Sequence, residues 1–295
     1  MKKKALAAVL VAAVTMSMAG CGSKQAASTD GGSKTESEAG SDAAAADSGE
    51  KKTLRVGMEC AYAPYNWTQS DASDNAVAIA AGGYADGYDV RIAKIIAEKL
   101  GMDLEIVKTE WDGLTPALLS GNIDVIIAGM SPTAERRMTI DFTDAYYETE
   151  LTVVVRKDSA FAAAKSLSDF AGAKITGQMS TFHYDMIDQI PGVVKMPAQD
   201  TFPTMIVAVS SGAIDGYIAD RPGAVSAVSA NPDLTYVTFD EGQGFTVSPD
   251  DAQIAVGVKQ GSELKEKINE VLAGISNDER NEIMDAVVLA QPLSE

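Results

Sequence analysis

The side chains able to do chemistry in this chain are charged and aromatic rather than metal-binding. One histidine (His183) and two cysteines (Cys21 and Cys60) occur in 295 residues, which leaves a zinc site or a histidine-dependent catalytic triad without its parts. Cys60 reads as a small, partly buried apolar residue. Arg136-Arg137 offers guanidinium groups, whose planar fork can meet a carboxylate with two parallel hydrogen bonds. A solvated surface arginine is the alternative, and it suits Arg137 better. Asp220 follows the apolar run Ile214 to Ala219. A carboxylate at the C-terminal end of a strand, facing a cleft, is well placed to hold a cation; it can also N-cap the helix after Pro222. Ser180-Thr181 opens a helix, where free backbone N–H groups favour anions. Glu59 shares a loop with Tyr62, Tyr65 and Trp67, and Trp111 lies in another. These aromatics fall outside periodic core positions. A carboxylate at Glu59 could pair with a cation, and Trp111 could add a cation–π contact, whereas Tyr65 and Trp67 are expected to pack.

The elements that must position these groups alternate between strand and helix. Leu54 to Met58 is a short strand leading into the Glu59–Trp67 loop, followed by a Ser/Asp/Asn/Gly-rich insertion from Gln69 to Gly83. Tyr88 to Leu100 carries a helical apolar stripe that Gly101 stops, with Asp89 available as a cap. Leu104 to Val107 is a strand, and Asp112 caps a helix to Ser120 with Pro116 in its first turn. Ile123 to Gly129 has the unbroken apolar run of a strand buried on both faces of a parallel sheet. Leu151 to Val155 is another strand. The pattern then restarts with strands near Lys174–Thr176, Val193-Val194 and Ile214–Ala219, and helices from about Thr181 and Asp200. Two strand–helix sets predict two α/β lobes. The strand Ala252–Val258 and the helices Glu263–Leu272 and Asp278–Val288 have no third lobe to join, so they are expected to return to the first. That divides the chain into residues 53–150 plus 252–295 for lobe 1 and 151–251 for lobe 2.

The N-terminal region points to export. Lys2 to Lys4 precede an uncharged, mostly apolar stretch to Ala19, shorter than the roughly 20 residues that span a bilayer. Residues 1–20 therefore read as a signal peptide. Met18-Ala19-Gly20-Cys21 resembles the lipobox of bacterial lipoproteins, in which the cysteine is diacylated; an ordinary signal cut beside an incidental Cys21 is the alternative. Two acyl chains suffice for stable anchoring. From Gly22 to Lys52 the chain has no aromatic or branched aliphatic residue, so 21–52 is expected to be a lipidated cysteine and a flexible tether. With the signal's three lysines set aside, 21 basic residues face 42 acidic ones, against nucleic acid as a partner.

The stretch Ile123 to Tyr147, IDVIIAGMSPTAERRMTIDFTDAYY, resembles the signature of the family 3 solute-binding proteins, which serve polar-amino-acid importers of the ATP-binding-cassette type. WDGLTPAL from Trp111, YAPYNW from Tyr62, GYDV from Gly87 and IDGYIADRP from Ile214 extend the likeness in order. The resemblance implies an α/β, two-lobed periplasmic-binding-protein-like (type II) fold with a two-strand hinge. It implies no catalytic residue, no metal and no cofactor. The expected partners are a free amino acid and the permease subunits of an importer, with the protein a lipid-anchored monomer at the extracellular face of the membrane. Residue by residue, it matches Arg136 to the carboxylate-binding arginine and Asp220 to the ammonium-binding aspartate. The Gly129 carbonyl falls on the ammonium, and the Ser131 hydroxyl and N–H near the carboxylate, unless Ser131 merely caps the short helix. Met130 lies between them. Ser180 and Thr181 match a second carboxylate contact, although the family often has glycine where Met179 stands. Tyr62 and Trp111 become walls for the ligand's side chain. Glu59 stands where relatives that bind lysine, arginine or histidine carry an aspartate; glutamine-binding relatives keep an acid there too. With Arg136 and Asp220 on opposite lobes, a zwitterion would stabilise closure. Cyclohexadienyl and arogenate dehydratases share the scaffold and form the alternative reading, with Glu59 as the general acid.

Overall fold

A computed structural model describes residues 51–292; the signal segment, Cys21 and the tether to residue 50 lie outside the described residues. The first lobe is built on a five-stranded sheet of order β6-β1-β7-β14-β8. These strands are β1 (Thr53–Met58), β6 (Asp103–Lys108), β7 (Val125–Ile126), β8 (Asp141–Glu148) and β14 (Gln253–Val258). β1 runs parallel to β6 and β7, while β14 is antiparallel to β7 and β8. The apolar character of β1 and β14 follows from their place: Leu54, Val56 and Met58 are buried, as are Ile254 to Val256 and Val258. α1 (Tyr88–Lys99), α2 (Trp111–Ser120) and α7 (Leu264–Ala273) pack on this sheet, and α8 (Asn277–Ala290) lies against α1.

A small antiparallel sheet of order β2-β3-β5-β4 comprises β2 (Ala61–Tyr62), β3 (Asn66–Gln69), β4 (Val77–Ala78) and β5 (Tyr84–Asp86). The Gln69–Gly83 segment is thus partly strand. The second lobe has its own sheet, β11-β10-β12-β9-β13, from β9 (Leu151–Arg156), β10 (Lys174–Thr176), β11 (Val194–Lys195), β12 (Gly216–Asp220) and β13 (Leu234–Tyr236). α4 (Phe182–Met186), α5 (Phe202–Ser210) and α6 (Arg221–Ala230) pack on it. The chain crosses between the sheets twice, from β8 to β9 and from β13 to β14, which is the two-strand hinge. α8 also reaches α6 at its C-terminal end, where the buried Gln291 and Ser226 hydrogen-bond reciprocally.

Three local expectations change. β7 is two residues long because the chain turns away through Gly129, in the left-handed region at φ 62°. α2 begins at Trp111 with Glu110 as N-cap, so Asp112 is inside the helix and Pro116 sits beyond the first turn. Asp89 does not cap α1; Gly87 holds that position, and the Asp89 carboxylate is turned inward to Asn66 and Tyr146.

Candidate functional site

The C-terminal edges of the parallel strands in the two sheets face each other, and there the sequence-predicted residues collect. α3 (Ala134–Arg137) is a single turn N-capped by Thr133, not by Ser131. Ser131 instead turns its carbonyl to Arg136 Nη1 at 2.9 Å. The half-buried Arg136 guanidinium lies 5.1 Å from the centre of the Trp111 ring and reaches the Ser180 carbonyl of the second lobe at 3.4 Å. Burial pulls its pKa down to about 10, and among the described residues it forms no ion pair. Arg137, by contrast, is exposed and holds the Pro132 carbonyl.

Across the cleft, Asp220 ends β12 and caps α6, accepting the Gly223 N–H at 2.9 Å on Oδ1. Its Oδ2 accepts the Tyr62 hydroxyl from the first lobe. It is 2% exposed. Burial raises its carboxyl to about 6, against the hydrogen bonds that hold the charge. No cation pairs with it among the described residues. Asp220 is thus the N-cap of α6, with its second oxygen turned to Tyr62 of the first lobe.

Glu59 follows β1 and is buried, with both carboxylate oxygens 3.0 and 3.1 Å from the Gln178 amide nitrogen of the second lobe. The same nitrogen donates to the Asp200 carbonyl at 3.0 Å. One neutral donor is little support for a buried carboxylate, and desolvation moves Glu59 up to about 7. Trp111 donates Nε1–H to the Ser180 carbonyl at 3.2 Å. Thr181 is buried, and its hydroxyl donates to the Gln178 carbonyl at 2.7 Å. Arg136, Ser180 and Thr181 line a cavity of about 750 Å³ opening between the lobes. Met130 is different: it is buried in the hydrophobic core, and its carbonyl takes the Ala255 N–H.

Beneath this edge lies a polar support. Asp89 accepts the Tyr146 hydroxyl at 2.6 Å and the Asn66 amide at 2.8 Å, and Tyr146 accepts the Gly129 N–H at 3.2 Å. A Cβ at Gly129 would stand 3.1 Å from the Tyr62 ring. Glycine is needed there for both its positive φ and this close approach.

Gln178, Phe202 and His183 were not singled out from sequence. Phe202 stacks on Tyr62, with ring centres 3.9 Å apart and planes 9° from parallel. His183 meets the Phe202 ring edge-on at 6.2 Å, and its buried Nδ1 has no hydrogen-bond partner. Gln178 had a legible signal, since it follows β10 at the carboxyl end of a parallel strand, the edge where ligands bind in open α/β sheets.

Residues 54–287 match the model of the bacterial extracellular solute-binding proteins, family 3. The chain belongs to that family. Among relatives of this solute-binding protein, the arginine-binding extracellular protein ArtP of Bacillus subtilis is 26% identical, over 92% of this chain and 91% of its own. A probable histidine-binding protein of Campylobacter jejuni is 30% identical, covering 84% and 86%. The crystal structure of AbpA, an amino acid ABC transporter substrate-binding protein of Streptococcus pneumoniae bound to L-arginine, superposes with a TM-score of 0.70 at 26% identity, covering 82% of this chain and 97% of that one. An ancestral arginine-binding protein bound to arginine gives 0.66 at 32%, covering 80% and 98%. These are binding proteins, and the dehydratase alternative is set aside. Among the described residues no helix is long and apolar enough to cross a membrane, and no group of three His, Cys, Asp or Glu could hold a metal ion.

Proposed function

We propose that this solute-binding protein captures a free α-amino acid between its lobes by hinge closure and presents it to the permease of an ABC-type importer, while anchored by a diacylated Cys21 as a monomer outside the membrane. One observation carries the capture: a guanidinium without an acid (Arg136) and a buried carboxylate without a cation (Asp220) lie on opposite lobes, each hydrogen-bonded across to the other lobe. A zwitterion satisfies both. Charge-assisted hydrogen bonds contribute roughly 1.5–3 kcal/mol each, so a few made only on closure supply the roughly 5.5 kcal/mol that turns a mostly open population into a mostly closed one.

The ligand carboxylate would lie against Arg136, Ser131, Ser180 and Thr181, with the ammonium at Asp220 and the Gly129 carbonyl. The side chain would extend past Tyr62 and Trp111 toward Glu59. A cationic side chain would give that buried carboxylate the charge partner it lacks, and the relatives named for arginine and histidine support this preference. The test is a thermal-shift screen of the twenty amino acids followed by calorimetry, since a ligand of the folded state raises the melting temperature. Arginine, lysine or histidine should give the largest shifts, and Arg136→Ala should weaken binding by at least about 100-fold, roughly 2.7 kcal/mol, without unfolding the protein. Undiminished affinity in Arg136→Ala would falsify the carboxylate assignment, and binding of neutral amino acids alone would reject a cationic ligand.

A further inference from the structure

We infer that Gln178 is a specificity-determining residue of the second lobe: on ligand-driven closure it supplies the donor that lets the Glu59 carboxylate be buried against an uncharged ligand side chain, and so widens the range of amino acids captured. This rests on the capture reading above, in which the ligand's side chain extends toward Glu59.

Glu59 depends on the other lobe for its support. It follows β1 of the first lobe, and among the described residues its carboxylate takes no hydrogen bond from that lobe. Both oxygens meet the Gln178 amide nitrogen instead, at 3.0 and 3.1 Å. With the lobes apart, water solvates such a carboxylate. With the lobes together, Glu59 is 6% exposed and Gln178 2% exposed. Closure therefore exchanges water for one amide, and a buried carboxylate stripped of donors is costly.

Gln178 is held ready by its own lobe. Its backbone pairs with Gln199 just beyond β10, and the Thr181 hydroxyl donates to its carbonyl at 2.7 Å. The amide nitrogen also donates to the Asp200 carbonyl at 3.0 Å. Three oxygen acceptors around one end of the amide identify that end as the nitrogen. It arrives at Glu59 already oriented, so little side-chain freedom is lost on closure.

The two ligand classes ask different things of this amide. A cationic side chain brings a charge-assisted donor of its own to Glu59, and Gln178 is then one donor among several. A neutral side chain brings no charge, while Glu110 and Asp112 act on Glu59 with charge of the same sign. Gln178 then carries most of the support, and removing it should narrow the protein toward cations.

Gln178→Met keeps the reach and packing of the side chain and removes the donor. Calorimetric titration with L-arginine and its uncharged near-isostere L-citrulline reads the effect. The variant should bind L-citrulline about tenfold more weakly than wild type, and L-arginine within about threefold of it. The difference should vanish in a Glu59→Gln background, where no charge awaits a donor. Equal weakening of both ligands overturns the inference and makes Gln178 a structural residue. So does an unchanged affinity for L-citrulline, a difference that persists in Glu59→Gln, or a wild type that binds L-arginine but not L-citrulline at millimolar concentration. If L-citrulline alone binds wild type, the cationic preference falls; its weakening in Gln178→Met still supports the role of Gln178, and its survival overturns it. Failure of both to bind wild type rejects the side-chain reading and this inference with it. If Gln178→Met does not fold, Gln178→Asn withdraws the amide by one methylene, and the same outcomes apply.

Discussion

His183 is a buried imidazole held neutral, and it sets one arm of the protein's response to acid. Burial, with Arg136 nearby, lowers its pKa from 6.5 to about 3. The unfolded chain therefore takes up a proton near pH 6.5 that the folded chain refuses until about 3, so this residue's contribution is whole above 6.5 and drains away below it. Glu59 and Asp89 act in the opposite sense. Burial raises each to about 7, and Asp220 to about 6, so their contribution is complete below the unfolded values and is lost as the pH rises through 6 to 7. Mild acidification from pH 7.5 to 6.5 should thus stabilise the ligand-free protein, with His183 opposing further gain below that. We expect His183→Asn to gain about 2 kcal/mol over wild type between pH 6.5 and 5, read from urea midpoints. Parallel pH profiles for the two proteins would rule this out. None of this was legible in the sequence, where His183 is a lone histidine on a short helix. Arg136 and Asp220 stand out in the sequence chiefly through the family resemblance, and they fall on a one-turn helix and at the end of an apolar strand. Gln178 and Phe202 acquire their meaning from residues over a hundred positions away.

At the scale of elements, β12 and α6 show how one residue serves two purposes. Asp220 ends the strand, caps the helix through Gly223 and presents its remaining oxygen to the cleft. The two uses separate by substitution. Asp220→Asn keeps a capping side chain and loses the charge; Asp220→Ala loses both. We expect Asn to leave stability close to wild type, Ala to lower it by about 1 kcal/mol, and both to abolish amino acid binding. Equal stability of the two variants would show that the cap contributes nothing. Element types were largely readable from periodicity, and their ends were not. The apolar run Ile123 to Gly129 predicts a long strand, yet only Val125–Ile126 pair, because Gly129 must turn the chain under Tyr62. The Ser/Asp/Asn/Gly-rich composition of the Gln69–Gly83 insertion does not announce β4, which pairs with β5 at a sheet edge.

The described residues form two α/β lobes joined by two crossings. The count of strand–helix sets and the late return of β14 to the first sheet were both foreseeable from sequence. The contact between the lobes was not, since no local pattern announces that Tyr62 will lie against Phe202. That shared apolar interior has a thermal consequence. Any opening of the cleft wets the faces of Tyr62, Phe202, Tyr217 and Ala224, and wetting apolar surface raises heat capacity. The temperature dependence of the binding heat therefore reports which form the amino acid meets. Capture by an open molecule must drive water off that surface and give a strongly negative heat-capacity change. An exchange within lobes already joined would leave it near zero; the strongly negative response, measured by calorimetry between about 10 and 40 °C, is the one we expect.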